Sequence, residues 1–327
     1  MSAHDALPGT TLPAVNAAHT RRVTAYSVAA ATLLIAIKAF AWQASGSVAV
    51  LSSLADSALD LAASLITFWA VRYAAAPPDA EHRHGHGKAE AFASLIQSGQ
   101  VFASAALVGW EAVRRLREPV AIAHGEWAVA VMAASIVVTG LLVMAQTRAL
   151  KATGSVAVAG DRAHYLADLT SNGAALLGVA GAAWLGLPAL DAVAGLFVAA
   201  WLAWGAVKVF RGAGDHLLDC ELPNEAVAKI VELARADARV LGVHQLRTRV
   251  AGPYVLIQMH ADLDPTLTLR QAHDIMVAAE ERILEHFPAA DIIIHPDPRG
   301  VTRPHGGAFG EPDSPEMSPP PDAEPAG

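Results

Sequence analysis

Six long apolar segments alternate with short polar stretches over the first two thirds of the chain. All six reach the length of about 20 residues that an α-helix needs to cross the hydrocarbon of a bilayer. The pattern predicts six membrane-spanning helices, with a tight turn around Gly46 after the first and another short turn between the last two. The predicted segments run approximately over 23–44, 48–73, 90–113, 127–147, 155–185 and 189–210.

After Gly214 shorter amphipathic segments replace the long apolar ones. Their order is α-β-β-α-β, which predicts a small α+β domain with a three-stranded sheet. The predicted elements are a helix at 223–238, strands at 243–250 and 254–263, a helix at 268–287 and a strand at 291–295. The predicted domains are an N-terminal cytoplasmic tail at 1–20, an all-α membrane domain of six transmembrane helices at 21–213, a cytoplasmic domain at 214–300, and a disordered, acidic, Pro-rich tail at 301–327.

The composition agrees with a membrane protein, because only 17% of the residues are charged, against about a quarter in soluble domains. The net charge of −8 gives no basic surface for nucleic acid. A single cysteine, Cys220, excludes an intramolecular disulfide and a multi-cysteine zinc module. With 14 histidines in the chain, any metal sites are expected to combine imidazoles and carboxylates.

Lysine and arginine concentrate at one end of the predicted helices, which places both termini in the cytoplasm. Three arginines at the opposite end make that side more basic than expected. The cytoplasmic set is Arg21, Arg22, Arg72, Arg83, Lys88, Arg148, Lys151, Arg162, Lys208 and Arg211, and the outer set is Arg114, Arg115 and Arg117.

Two pairs of metal-type ligands lie inside the predicted membrane helices: Asp56 with Asp60, and His164 with Asp168. The i, i+4 spacing puts both members of a pair on one helix face. A carboxylate at the centre of a membrane helix costs about 2.5–3.5 kcal/mol on insertion scales, and a bound divalent cation would offset that cost. The alternative is a set of helix-packing hydrogen bonds, or a proton relay without metal. Lys38 is the other intramembrane charge, and we interpret it as structural.

The loop after the second helix offers a second carboxylate and imidazole set in Asp79, His82 and His86. His84 is an ambiguous extra member, and a solvated loop with incidental histidines is the alternative. In the α+β domain, His244 and His260 fall on adjacent predicted strands. His295 ends the third strand, close to Asp297. With His273 on the long helix, these residues suggest a cytoplasmic metal site, although any one of them alone is more often a surface residue.

These stretches together resemble the cation diffusion facilitator family, in particular its bacterial ferrous-iron and zinc efflux branch. The resemblance extends over roughly residues 20–300, and His84 stands where an aromatic residue is familiar in the family. The stretches that carry it are Gly46-Ser47-Val48, Leu54-Ala55-Asp56-Ser57-Ala58-Leu59-Asp60, His86-Gly87-Lys88-Ala89-Glu90, His164-Tyr165-Leu166-Ala167-Asp168, Leu246-Arg247-Thr248-Arg249 and Ile293-Ile294-His295-Pro296-Asp297-Pro298.

The resemblance implies a homodimer in the bacterial inner membrane with a metallochaperone-like cytoplasmic domain. It implies an ion pair of Lys88 and Asp219 that ties the membrane helices to the cytoplasmic domain at the dimer interface. It also implies three kinds of metal site. The transport site would be Asp56, Asp60, His164 and Asp168; the loop site Asp79, His82 and His86; and the cytoplasmic binuclear site His244, His260, His273, His295 and Asp297.

The chemistry then predicts a secondary transporter, not an enzyme, that exports a divalent cation in exchange for protons. Metal binding needs neutral histidine and ionised aspartate, so metal and protons compete for one site. The chain has no G-x-x-x-x-G-K phosphate loop to couple transport to a nucleotide. Zn²⁺ is the leading candidate, with Fe²⁺, Cd²⁺ and Co²⁺ as alternatives. The competing hypotheses are an intramembrane metalloenzyme and a passive metal channel or sensor.

Overall fold

The computed structural model describes residues 7–46, 48–117, 126–185 and 189–300. The predicted disordered tail at 301–327 and part of the turn predicted between the last two long helices lie outside these residues. The chain forms two compact units. The first runs to Cys220 and includes Val250–Val255, and the second comprises Glu221–Arg249 and the residues from Leu256.

Six long helices form the described part of the first unit. They are α1 (Pro13–Ser45), α2 (Val48–Ala74), α3 (Ala89–Arg117), α4 (Glu126–Thr153), α5 (Val156–Leu185) and α6 (Ala189–Leu217). Five of them contain segments long and apolar enough to cross a membrane, and α5 matches them in length while carrying several ionisable residues. A cluster of Val101, Ala105, Ala167, Leu202 and Ala206 packs α3, α5 and α6 together through mostly small side chains, as membrane helices do.

Several helices continue beyond the apolar segments that predicted them. Helix α1 begins at Pro13 rather than near Val23, because its polar first turns are held by neighbours: the Asn16 side chain donates to the Thr153 carbonyl over 3.1 Å. The same helix ends at Gly46, whose φ of 59° is left-handed and whose N–H bonds to the Trp42 carbonyl. Helical structure therefore extends into the region predicted as an N-terminal tail.

The second unit has the predicted order α-β-β-α-β. Its elements are α7 (Asn224–Ala234), β1 (Gly242–Ala251), β2 (Tyr254–Leu263), α8 (Leu269–His286) and β3 (Ala290–Pro298), and β2 lies at the centre of the sheet. A capping box of Thr268 and Gln271 starts α8, and its buried Ile275 and Met276 pack against Leu263 of the sheet. Helix α7 is shorter than predicted because Asp237 accepts the Arg239 N–H in a local turn.

Candidate metal centres

Helices α2 and α5 bring Asp60, His164 and Asp168 together. His164 Nε2 lies 3.1 Å from Asp60 Oδ1 and 3.6 Å from Asp168 Oδ2. The imidazole is buried, whereas both carboxylates keep partial access to solvent. One ligand atom from each residue lies within 4.8 Å of the others. Three of the four residues predicted for the transport site therefore share one small volume between two helices.

Asp56, the fourth predicted ligand, lies one turn before Asp60 on α2. It is exposed and falls outside the group whose ligand atoms lie within 4.8 Å of one another. Its contribution to a metal site remains a prediction.

The other nitrogen of His164, Nδ1, is buried and has no hydrogen-bond partner among the described residues. Histidines that bind metals usually donate this second N–H to a carboxylate, a carbonyl or a water. Here the protein directs Nε2 at two carboxylates and leaves Nδ1 without such a support. The described contacts that orient the ring are those of Nε2 with Asp60 and Asp168, and the position of the ring depends on the α5 backbone that carries it.

Lys38 of α1 is buried near the same carboxylates. Its ammonium donates to Ser57 Oγ over 2.6 Å and to the Ser53 carbonyl over 3.1 Å, both on α2. It also interacts electrostatically with the carboxylates of the predicted site. Because its hydrogen bonds go to α2 itself, Lys38 joins α1 to the helix that carries Asp60, in agreement with the structural role that we assign to it.

A further carboxylate, Asp161, is absent from the residues predicted from the sequence. It lies on α5, one turn before His164, and only 1% of its surface is exposed. The sequence does contain one indication of its importance, because Asp161 lies three residues before the predicted ligand His164 in an apolar helix. Its partners come from helices distant in the sequence, so no local pattern indicates its role.

The loop between α2 and α3 brings Asp79, His82 and His86 together. Asp79 Oδ2 is 3.1 Å from His86 Nε2, and Asp79 Oδ1 is 3.3 Å from His82 Nδ1. The backbone N–H of His82 lowers the pKa of the Asp79 carboxyl below its usual value, so this group stays ionised as a ligand must. His86 is buried against the Tyr73 ring, whereas the ambiguous His84 is exposed and outside the group.

Strands β1, β2 and β3 bring His244, His260 and Asp297 together. Asp297 Oδ2 lies 3.4 Å from His244 Nε2 and 2.8 Å from His260 Nδ1. Its other oxygen, Oδ1, lies 3.4 Å from His295 Nε2. The Asp297 carboxylate is buried at the centre of three imidazoles, with one oxygen facing two of them and the other facing the third.

Two further residues bear on the composition of this group on the sheet. Asp262 was not predicted, but its Oδ1 lies 3.5 Å from His244 Nε2. It sits two residues after His260 on β2, on the same sheet face, which is the spacing that could have revealed it. His273, which was predicted, is exposed on α8 and is not among the residues whose ligand atoms meet.

Lys88 and Asp219 form the ion pair that the resemblance implies, with Nζ 3.0 Å from Oδ1. Lys88 also donates to the Leu217 carbonyl, and Asp219 adopts a left-handed φ of 58°. The two side chains are 40% and 35% exposed, and pairs so accessible to water contribute about 1 kcal/mol or less. The place of this pair at a dimer interface remains a prediction.

A helix bundle with carboxylates and an imidazole held between two of its helices defines a membrane protein suited to carrying cations. Comparison with known families agrees. Residues 24–218 match the cation efflux transmembrane domain, and residues 222–299 match the cytoplasmic domain of cation efflux proteins. The chain therefore belongs to the cation diffusion facilitator family, which confirms both the predicted resemblance and the predicted fold class.

Curated relatives match over most of their length. The cation-efflux pump FieF of Shewanella oneidensis is 42% identical over 272 residues, covering 83% of this chain and 92% of that protein. The FieF pump of Cronobacter sakazakii is 40% identical over 271 residues, covering 83% and 90%. That of Citrobacter koseri is 37% identical over 298 residues, covering 90% and 99%. The chain is accordingly a multi-pass membrane transporter of the cation-efflux class rather than an enzyme, so the metalloenzyme hypothesis is set aside.

Proposed function

We propose that this protein exports divalent metal cations from the cytoplasm in exchange for protons, with Zn²⁺ as the leading substrate. The observation that carries the proposal is the grouping of Asp60, His164 and Asp168 between α2 and α5. Asp56, one turn away, is proposed as the fourth ligand.

The distances within this group suit a metal of the zinc type. Zinc binds histidine nitrogen and carboxylate oxygen at about 2.0–2.2 Å, so two ligand atoms on one ion lie about 3–4 Å apart. The separations of 3.1 Å and 3.6 Å from His164 Nε2 fall in that range. Fe²⁺, Cd²⁺ and Co²⁺ accept similar ligands and are the alternative substrates.

Exchange for protons follows from the same residues. Binding of a cation requires a neutral imidazole on His164 and ionised carboxylates on Asp60 and Asp168, so metal entry releases protons and protonation releases metal. If the site faces the two sides of the membrane alternately, this competition couples the two fluxes. The proposed orientation has both termini in the cytoplasm of a bacterium, with the bundle in the inner membrane.

The other two groups are proposed as regulatory or structural metal sites of a homodimer. The loop group would hold a cation through Asp79, His82 and His86. In the sheet group, the buried Asp297 carboxylate has one oxygen for His244 and His260 and another for His295. A carboxylate with both oxygens engaged in this way can bridge two ions, which supports the proposed binuclear site.

The proposal is tested with the purified full-length protein in liposomes that contain a pH-sensitive dye. Addition of Zn²⁺ on the cytoplasmic side should drive saturable proton movement in the opposite direction, and an imposed pH gradient should drive Zn²⁺ uptake. The same assay with Fe²⁺, Cd²⁺ and Co²⁺ ranks the substrates. Metal flux that does not saturate and moves no protons would instead support a passive channel.

Metal removal should destabilise the cytoplasmic domain through the Asp297 group. A ligand at 100 times its Kd stabilises the folded state by about 2.7 kcal/mol, so chelation of the full-length protein should lower the temperature of the corresponding unfolding transition. The Asp297→Ala variant should unfold at a lower temperature than the parent before any chelator is added. The chelator should then leave that temperature unchanged. Asp291→Ala, which removes an exposed carboxylate from the same strand, is the control and should respond like the parent. An equal chelator response in Asp297→Ala would contradict a metal at this group.

A further inference from the structure

A second polar group lies buried in the helix bundle, centred on the Asp161 carboxylate of α5. Three side-chain donors converge on it from three different helices. Ser27 Oγ of α1 donates over 2.5 Å, Gln146 Nε2 of α4 over 2.8 Å and Gln97 Nε2 of α3 over 3.1 Å. Ser27 and Gln146 are fully buried, and Gln97 is 1% exposed. One carboxylate thus joins α5 to α1, α3 and α4.

The network continues to α2, the other helix that carries a predicted ligand. Gln97 Nε2 also donates to Thr67 Oγ1 over 2.9 Å. Beside it, the hydroxyls of Tyr165 and Ser64 lie 2.6 Å apart, and the Tyr165 hydroxyl donates to the Ser27 carbonyl over 3.3 Å. Ser64 is one turn after Asp60, and Tyr165 directly follows His164. The network therefore connects α2 and α5 immediately next to their ligand residues.

We propose that Asp161 is a positioning residue for the transport site: it fixes the rotation of α5 so that His164 and Asp168 face Asp60. This inference rests on the proposed function of that site. At 3.6 residues per turn, positions 161 and 168 lie almost on one line along the helix, and position 164 is offset by about 60°. A rotation of α5 that moved Asp161 from its three donors would turn both ligands away from α2.

The positioning of α5 matters especially for the imidazole of His164. A metal-binding histidine is usually oriented through its second nitrogen, but here that atom is buried without a partner among the described residues. The position of the ring relative to Asp60 therefore depends on the α5 backbone that carries it. Asp161, one turn away, accepts hydrogen bonds from α1, α3 and α4 and so helps to attach this part of α5 to its neighbours.

The network also indicates which substitution should be tolerated. Gln97 Oε1 and Gln146 Oε1 are both buried and lack a partner within the described part of the chain, because each amide directs its nitrogen at the carboxylate. In Asp161→Asn, a reversed Gln146 amide would present Oε1 to the new NH₂ group and restore the bond. Asp161→Ala offers no such exchange and removes the carboxylate that Ser27, Gln97 and Gln146 share as an acceptor.

The test measures Zn²⁺-driven proton exchange by full-length variants in liposomes, from which KM and kcat are obtained for the folded protein. Asp161→Ala should raise the KM for Zn²⁺ about tenfold or more, as loss of groups that support metal ligands commonly does. Asp161→Asn should stay within about threefold of the parent, and Ser27→Ala, which removes one donor only, should fall between the two. Thr170→Val is the control, because that hydroxyl bonds to its own helix at Leu166 and Ala167.

Two outcomes would overturn the inference: an unchanged KM in Asp161→Ala and Ser27→Ala, or an Asp161→Asn variant as impaired as Asp161→Ala. If Asp161→Ala does not fold, the KM of Ser27→Ala decides. A parent protein that shows no metal-dependent proton exchange would refute the proposed function itself, and a direct Zn²⁺-binding titration of the same variants would then still show whether Asp161 sets the affinity of the site.

Discussion

Asp60→Ala is expected to abolish metal-driven proton exchange, with kcat/KM lowered at least about a hundredfold, equivalent to about 2.7 kcal/mol. Asp60 Oδ1 is the carboxylate oxygen nearest to His164 Nε2, so its loss removes a charged group of the proposed site and the closest carboxylate partner of a buried imidazole. Loss of groups that merely support a ligand already costs about 10–100-fold in metal affinity, and a ligand itself should cost more.

The measurement is initial proton flux against Zn²⁺ concentration in liposomes with equal amounts of folded protein. Asp215→Ala, which removes an exposed carboxylate of α6, is the control and should transport like the parent. Asp56→Ala is the companion variant: a loss close to that of Asp60→Ala would place Asp56 among the ligands, and a small loss would limit the site to the three grouped residues. Full transport by Asp60→Ala would refute the assigned site.

The proximity of His164 and Asp168 could be predicted from the sequence because their geometry is local. Residues four apart on one helix share a face whatever the rest of the fold does, so His164 and Asp168 were recognisable as a pair. The loop group is similarly local, since Asp79, His82 and His86 lie within eight consecutive residues. The strands of the second unit and the apolar helices also follow from periodicities that the sequence displays directly.

Features that depend on the alignment of distant segments could not be predicted in this way. The bond from Ser27 to Asp161 joins residues 134 positions apart, and no periodicity relates them. The separation of Asp56 from the Asp60 group likewise depends on how α2 and α5 are aligned along their axes. The polar extensions of the helices were missed for another reason: a hydropathy pattern marks the lipid-spanning part of a helix, not its ends, where polar contacts such as that of Asn16 continue it.

Gly160→Ala is expected to disrupt both the packing of the bundle and the transport site. A Cβ atom at this position would lie 2.8 Å from Ser94 Oγ and 2.9 Å from Ser94 Cα, so the backbone of α3 would have to move. Overpacking of this kind typically costs about 1–3 kcal/mol. The same close approach lets Gln97 reach Asp161, so separating α3 from α5 should also weaken that bond.

Gly173→Ala is the matched control on α5, because a Cβ atom there would meet nothing within 4 Å. Replacing a glycine inside a helix with alanine favours the helix by up to about 1 kcal/mol, so this variant should be as stable as the parent or more so. The two variants should therefore differ in thermal unfolding in detergent and in the KM for Zn²⁺. Gly160→Ala should unfold at a lower temperature and have the higher KM. Equal unfolding temperatures and KM values for the two variants would contradict this prediction. They would mean that α3 moves at Ser94 without loss of stability, and that the spacing of α3 and α5 does not affect Zn²⁺ binding.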